Sequence, residues 1–173
     1  MFRTIKQIAR VGIITETAKL SGATLKHYTT LQRDIYSVFG RALGVRHVDA
    51  GSCNGCELEI HALNNAYYNL EGLGIRFVAS PRQADLLLVT GPVSRNMLAA
   101  LHQTHDAMPE PKWVVAVGAC GIDGGIFGRN YASAGGVDAV IPVDAWVPGC
   151  PPQPEAILEG ILAALVKPNA HTG

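Results

Sequence analysis

Five short apolar runs, bounded by Gly, Pro and Ser and interleaved with segments of helical periodicity, constrain this chain more than any other feature. They are VRHVDA (45–50), IRFVAS (75–80), ADLLLVTG (84–91), WVVAVGAC (113–120) and DAVIPV (138–143). Runs rich in β-branched and aromatic residues between turn formers read as strands. Helical candidates lie at 57–71, 94–107 and 153–166, the last opening on a Pro-rich segment and spaced to bury one face. Strands apolar along their whole length have no face to give to water, so they belong in a parallel sheet covered by helices on both sides. The predicted class is therefore α/β, a three-layer domain around a central parallel sheet. At 173 residues the chain has room for one such domain with a real core. The link from the second run to the third is too short for a crossover helix. Residues 1–30 lack periodicity and read as an arm, with a short helix expected near 31–43; the domain boundary is placed between residues 44 and 45.

The net charge of zero hides an asymmetry. Residues 1–46 hold eight basic residues (Arg3, Lys6, Arg10, Lys19, Lys26, Arg33, Arg41 and Arg46) against Glu16 and Asp34, a balance of +6, and the remainder balances at −6. A basic arm ahead of an acidic domain suits an anionic membrane surface or an acidic partner, or is simply a solvated arm. No aromatic-rich or helix-turn-helix pattern accompanies it, so no nucleic acid partner is expected. No uninterrupted apolar run reaches the ~18 residues of a membrane span. The N-terminus has neither a long apolar core nor an A-x-A-like site, so no secretory signal is expected.

Outside a secretory context, four cysteines point to metal or redox chemistry rather than disulfides. Cys53 and Cys56 follow the first predicted strand, Cys120 ends the fourth, and Cys150 follows the fifth after DAWVPG. All four therefore fall beyond the carboxyl ends of strands, the edge where open α/β sheets bind ligands. Each has a glycine nearby, in GSCNGC, GACG and PGCPP, which lets backbone approach closely and aim amides at an anionic group. Structural zinc usually draws on two close cysteine pairs, and only one pair is close here. Ligands arriving separately from three loops suit a larger object such as a cubane, and Cys150–Pro151 matches the Cys-Pro that ends ferredoxin cluster motifs. Zinc and buried or catalytic thiols remain as alternatives, although no base is locally paired with a cysteine to activate it.

In combination, SPRQADLLLVTGPVSRNM (80–97), MPEPKWVVAVGACGIDGGIF (108–127) and VPGCPPQPEAILEGI (147–161) resemble the cluster-bearing 20 kDa subunit shared by respiratory complex I and nickel–iron hydrogenases. The likeness covers residues 44–166. In SCNGCELE (52–59) the cysteines are spaced C-x-x-C, as in hydrogenase small subunits, whereas the complex I subunit carries two adjacent cysteines. This resembles the membrane-bound, energy-converting branch, which includes formate hydrogenlyase and carbon-monoxide-linked enzymes. The resemblance implies a flavodoxin-like domain holding one 4Fe-4S cluster through Cys53, Cys56, Cys120 and Cys150. It implies a nickel–iron large subunit, a ferredoxin-like iron–sulfur subunit that feeds electrons, and membrane-arm subunits that anchor the assembly peripherally on the cytoplasmic face. This chain is then an electron relay of an oxidoreductase complex, with no catalytic residue of its own. The alternative is the 20 kDa-type subunit of an NADH:quinone oxidoreductase, passing electrons to quinone. A charged fraction of only 16% fits a surface buried against partners.

Glu59 matches an acidic residue present in both branches, where it serves a proton path or the interface; otherwise it faces the dipole of the following helix. Glu57 is expected to be such a first-turn carboxylate. Asp123 in CGIDGG is expected to order its Gly loop through an Asx-type turn. His102 and His105 sit three apart and are expected as a surface pair, Tyr67 and Tyr68 as helix packing or interface, and Arg82 as an ion-pair or interface residue. GACGIDGG matches neither dinucleotide nor P-loop spacing, so no nucleotide site is read.

Overall fold

The computed structural model describes residues 39–166 together with Lys6, Arg33, Ile35 and Tyr36. The order is β1 (Leu43–Asp49), α1 (Gly55–Ala62), β2 (Ile75–Phe77), β3 (Leu86–Thr90), α2 (Leu98–Asp106), β4 (Trp113–Val117), α3 (Gly118–Asp123), β5 (Ala145–Val147) and α4 (Pro154–Val166). Single 3-10 turns occupy Leu70–Leu73, Pro81–Gln83 and Val137–Ala139. The five strands form one sheet in the order β2-β1-β3-β4-β5, parallel throughout. This is the flavodoxin-like order, with its reversal between β1 and β3.

Every residue of β3 and β4 is buried, and strand alternation divides them between two layers. Leu86, Leu88, Val115 and Val117 pack with Ile60 and Leu63 of the α1 region and Ile157 and Ile161 of α4. Leu87, Val89, Val114 and Ala116 pack with Leu101 of α2, Met108, Val137 and Ile141. Each such side chain, fully removed from water, contributes about 1.5–3 kcal/mol, so the sheet is the most secure part of the molecule. Two carboxylates pin the amino ends of its strands. Asp85 accepts Gly44 N–H at 2.9 Å and meets Arg41 at 2.6 Å, while Asp144 accepts Val114 N–H at 2.7 Å.

The register explains the short second link. Phe77 and Leu86 both pair with Val45, so β2 ends level with the start of β3. The chain has only to step across β1, about 10 Å for two strand spacings, and the Pro81–Gln83 turn is enough. Of the helix expected near 31–43, the described positions Arg33, Ile35, Tyr36 and Phe39 are helical, and Gly40 N–H bonds Tyr36 O at 2.9 Å beyond its end. Ile35 is in the core and Phe39 meets Trp113 edge-on, ring centroids 5.5 Å apart. The rest of the basic arm lies outside the described residues.

Three expected elements differ. The fifth strand is Ala145–Val147, not 138–143, where Val137–Ala139 forms a 3-10 turn and Ile141 fills the core. The first helix stops at Ala62 instead of residue 71, because Asn65 Oδ1 accepts the N–H groups of Tyr67 and Tyr68 and turns the chain. The second begins at Leu98, because 93–95 pairs with the loop at 132–135 through Val93, Arg95 and Ala134 N–H bonds.

Candidate metal centre

At the carboxyl end of β1 the chain must turn sharply before α1. Asp49 Oδ1 accepts the N–H groups of Gly51 at 2.8 Å and Ser52 at 2.7 Å, and Ser52 Oγ accepts Asn54 N–H at 3.1 Å. Burial disfavours the Asp49 carboxylate, but the Ser52 and Gly51 donors outweigh it and lower its pKa. Asn54 is left-handed at φ 69°, and α1 begins at the next residue. The turn leaves Cys53 on the loop and Cys56 in the first turn of α1. Cys120 lies in α3, three residues past β4, and Cys150 follows β5 by the same distance. Ala119 N–H bonds Gly149 O at 2.8 Å, joining these last two loops, while Ala50 N–H to Thr90 O at 2.9 Å and Ser94 N–H to Ala50 O at 2.8 Å tie the first to the end of β3.

All four cysteines line one cavity of about 150 Å³, completed by Ser52, Gly55, Gly91, Gly118, Ala119, Gly149 and Pro151. A single water needs only about 10–15 Å³, so the space has room for a polynuclear group. Among the described residues, no three His, Cys, Asp or Glu side chains converge as they would on one metal ion. Glycine is required in the wall. Gly118, at φ +81°, has a Cβ position 2.8 Å from Cys56 Sγ, and Gly91, at φ +76°, has one 2.5 Å from Ser52 N. Side chains there would fill the cradle.

The thiols are tuned by one another. Burial, then the charge of Glu57 and of the other three cysteines, pushes Cys56 up to about 11. Burial, then Cys150, Cys53 and Asp123, raises Cys120. Cys56 and Cys120, which resist ionisation, are poor independent nucleophiles. A cation among them inverts the balance, because a coordinated thiol is deprotonated outright. Donor chemistry, spacing and glycine walls thus fit an iron–sulfur cluster ligated by four cysteines.

Of the other residues singled out in the sequence, Glu57 lies in the first turn of α1, as expected, without a capping hydrogen bond. It is buried, and neither carboxylate oxygen has a hydrogen-bond partner. His47 Nε2 lies 3.8 Å from its Oε1 and bonds Thr90 Oγ1 at 2.9 Å. Sequence reading passed over His47; its place on β1, shortly before the cysteine loop, was the available signal. Glu59 is half-buried on α1. Asp123 Oδ1 accepts Gly125 N–H at 2.7 Å, the expected Asx turn. His102 is exposed but His105 is buried, so they are not a surface pair. Tyr67 and Tyr68 stack edge-on at 5.0 Å, and Tyr68 OH donates to Glu155 at 3.1 Å. Arg82 is exposed, and Arg41 makes the ion pair at that corner.

Fold and pocket together define a flavodoxin-like α/β domain in which four thiols occupy the sheet edge where such folds take their ligands. The chain belongs to the family described as NADH ubiquinone oxidoreductase, 20 Kd subunit, whose model matches residues 53–164. It is 48% identical over 128 residues to the probable membrane-bound hydrogenase subunit mbhJ of Pyrococcus furiosus, spanning 74% of this chain and 77% of that protein. It is also 48% identical over 107 residues to an NADH-quinone oxidoreductase subunit of Citrifermentans bemidjiense, spanning 62% of each. Among solved structures it is similar to a chain of the membrane-bound sulfane sulfur reductase, an archaeal respiratory membrane complex. The TM-score is 0.62 at 36% identity, covering 77% of this chain and 71% of that one. The family is one of oxidoreductase subunits. No helix among the described residues is long and apolar enough to cross a membrane.

Proposed function

We propose that this chain is the electron-transfer small subunit of a membrane-bound nickel–iron hydrogenase complex, holding one 4Fe-4S cluster through Cys53, Cys56, Cys120 and Cys150. The observation that carries the reading is the convergence of these four cysteines, from three loops, on one glycine-walled pocket. When bound, the cluster supplies one-electron transfer. The protein's part is to hold it: the thiolates fix its corners, and Gly91 and Gly118 let backbone close around it. Cys53 and Cys150 are exposed, as are the apolar Leu58, two residues past Cys56 on α1, and Ile126, Phe127 and Tyr131, in the chain that follows α3. These exposed residues offer a surface to the nickel–iron large subunit, with Glu59, on the same helix as Leu58, as an interface or proton-path residue. The basic arm, 1–44, attaches the domain, 45–173, to membrane-arm subunits or anionic lipid on the cytoplasmic face, and a ferredoxin-like subunit delivers electrons.

The C-x-x-C spacing at Cys53 and Cys56 favours the hydrogenase branch over the quinone-reducing one. The purified complex should contain nickel, and iron and sulfide matching one 4Fe-4S cluster in this chain. A nickel-free complex that reduces quinone would assign the chain to the second branch; zinc in place of iron would end both readings. The isolated chain, reconstituted with iron and sulfide, should be reducible yet evolve no H2 from reduced viologen, since its four cysteines are all committed to the pocket.

A further inference from the structure

Glu57 is a buried carboxylate that the relay function leaves unused. Its side chain is only 9% exposed, both oxygens lack a hydrogen-bond partner, and it directly follows Cys56. An ionised group placed so destabilises a fold, and an apolar residue at this inward-facing position of α1 would pack at no such cost. Among the described residues, the cationic candidate within ion-pair distance is His47, 3.8 Å away. Burial holds His47 below its ordinary pKa against the opposing pull of Glu57 and Asp49, with Arg46 and His61 also acting to lower it. At neutral pH it is therefore a neutral ring, occupied by Thr90, and does not cancel the carboxylate. Arg46 alternates with His47 along β1 and so points to the other face of the sheet. Glu57 lies in the first turn of α1, at the helix end whose dipole is positive. Glu59, half-exposed, is screened by water instead.

We propose that Glu57 is a positioning residue for charge: its carboxylate, fixed in a low-dielectric wall beside Cys56, holds down the reduction potential of the group in the four-cysteine pocket. The inference rests on the cluster reading above. Reduction adds one electron and neither makes nor breaks a bond, so a nearby fixed negative charge opposes it by Coulomb repulsion, and burial leaves that repulsion poorly screened. A low potential suits a relay that must deliver electrons to protons.

The test is an EPR-monitored redox titration of the intact complex at one pH, in wild type, Glu57→Gln and Glu57→Asp. The signal missing from a Cys120→Ser complex identifies the cluster of this chain. Glu57→Gln should favour reduction at least about tenfold, a rise of about 59 mV for one electron, while Glu57→Asp should stay within about threefold of wild type. An unshifted Glu57→Gln, or equal shifts in both variants, overturns the proposal. Should Glu57→Gln fail to assemble, Glu57→Met, neutral and of similar volume, must raise the potential likewise, and no rise there overturns it too. Iron and sulfide content reports separately on the underlying reading, which fails if the wild-type complex has no cluster in this chain.

Discussion

Alanine at Gly118 puts a methyl group against the sulfur that α1 presents to the pocket, and two separate effects follow. Gly118 sits at φ +81°, where an L-residue costs about 1–2 kcal/mol. In a domain of this size each kcal/mol lowers Tm by about 2–4 °C, so the backbone term alone predicts a loss of about 2–8 °C. The second effect is local. The new Cβ would stand 2.8 Å from Cys56 Sγ, whereas ordinary contact begins at 3.4 Å, so the sulfur must retreat by about 0.6 Å. Metal–ligand distances tolerate about 0.2 Å, and Gly149 O at 3.4 Å blocks the methyl group from moving the other way. Gly118→Ala should therefore lose most of its iron and sulfide and its absorbance near ~400 nm, the thiolate-to-iron band of such clusters. Gly128→Ala is the control: Gly128 is also left-handed, at φ +54°, but its Cβ position has nothing within 4 Å. It should show a similar drop in Tm with full iron content. A Gly118→Ala protein with a full complement of iron, or a Gly128→Ala protein that loses as much, would refute the reasoning.

Cys120→Ser should abolish the cluster signal and turnover of the complex while the sheet persists by circular dichroism. Because burial depresses the pKa of His47 below its ordinary 6.5, the unfolded chain takes up that proton first; the associated stability is complete above about pH 6.5 and falls as the pH drops below it. Urea midpoints at about pH 7.5 and 5.5 should show this decline, reduced in His47→Gln. Deleting residues 1–30 removes five basic residues and one acidic one, each basic residue contributing about 1 kcal/mol at an anionic surface. The truncated complex should leave the membrane fraction at moderate salt with its cluster intact, and undiminished retention would dismiss a docking role for the arm.

Much of the fold was legible because burial on both faces writes itself as uninterrupted apolar sequence. LLLV in β3 and WVVAV in β4 read as strands on that ground, and both are. The fifth strand misled for the same reason. Ile141 is buried as strand residues are, and an apolar run does not distinguish a strand from a loop that fills a core. What separates them is the ladder, and Asp144, which accepts Val114 N–H, marks its true start. The first helix was predicted to residue 71 across Asn65 and Asn69, which each accept backbone N–H groups and turn the chain. The four cysteines could be placed on one edge from strand ends alone. The meeting of Glu57 with His47 could not, since it depends on how α1 lies over β1 and β3, a tertiary fact with no local signature.

The stitching of the three cysteine loops also bears on time. In a compact finger whose ligands are sequence neighbours, metal can nucleate the fold as it emerges. Here Cys53 and Cys150 follow the first and last of the described strands, and their loops meet only when β4 has paired with β1 through β3 and β5 has closed the sheet edge. Such non-local contacts form late, because their loop-closure entropy must be overcome first. On the proposed reading, loading of a cluster would therefore follow pairing of β5 and act on a domain whose core is already formed. The exposed pair, Cys53 and Cys150, would on that same reading be the side from which such a group enters the pocket.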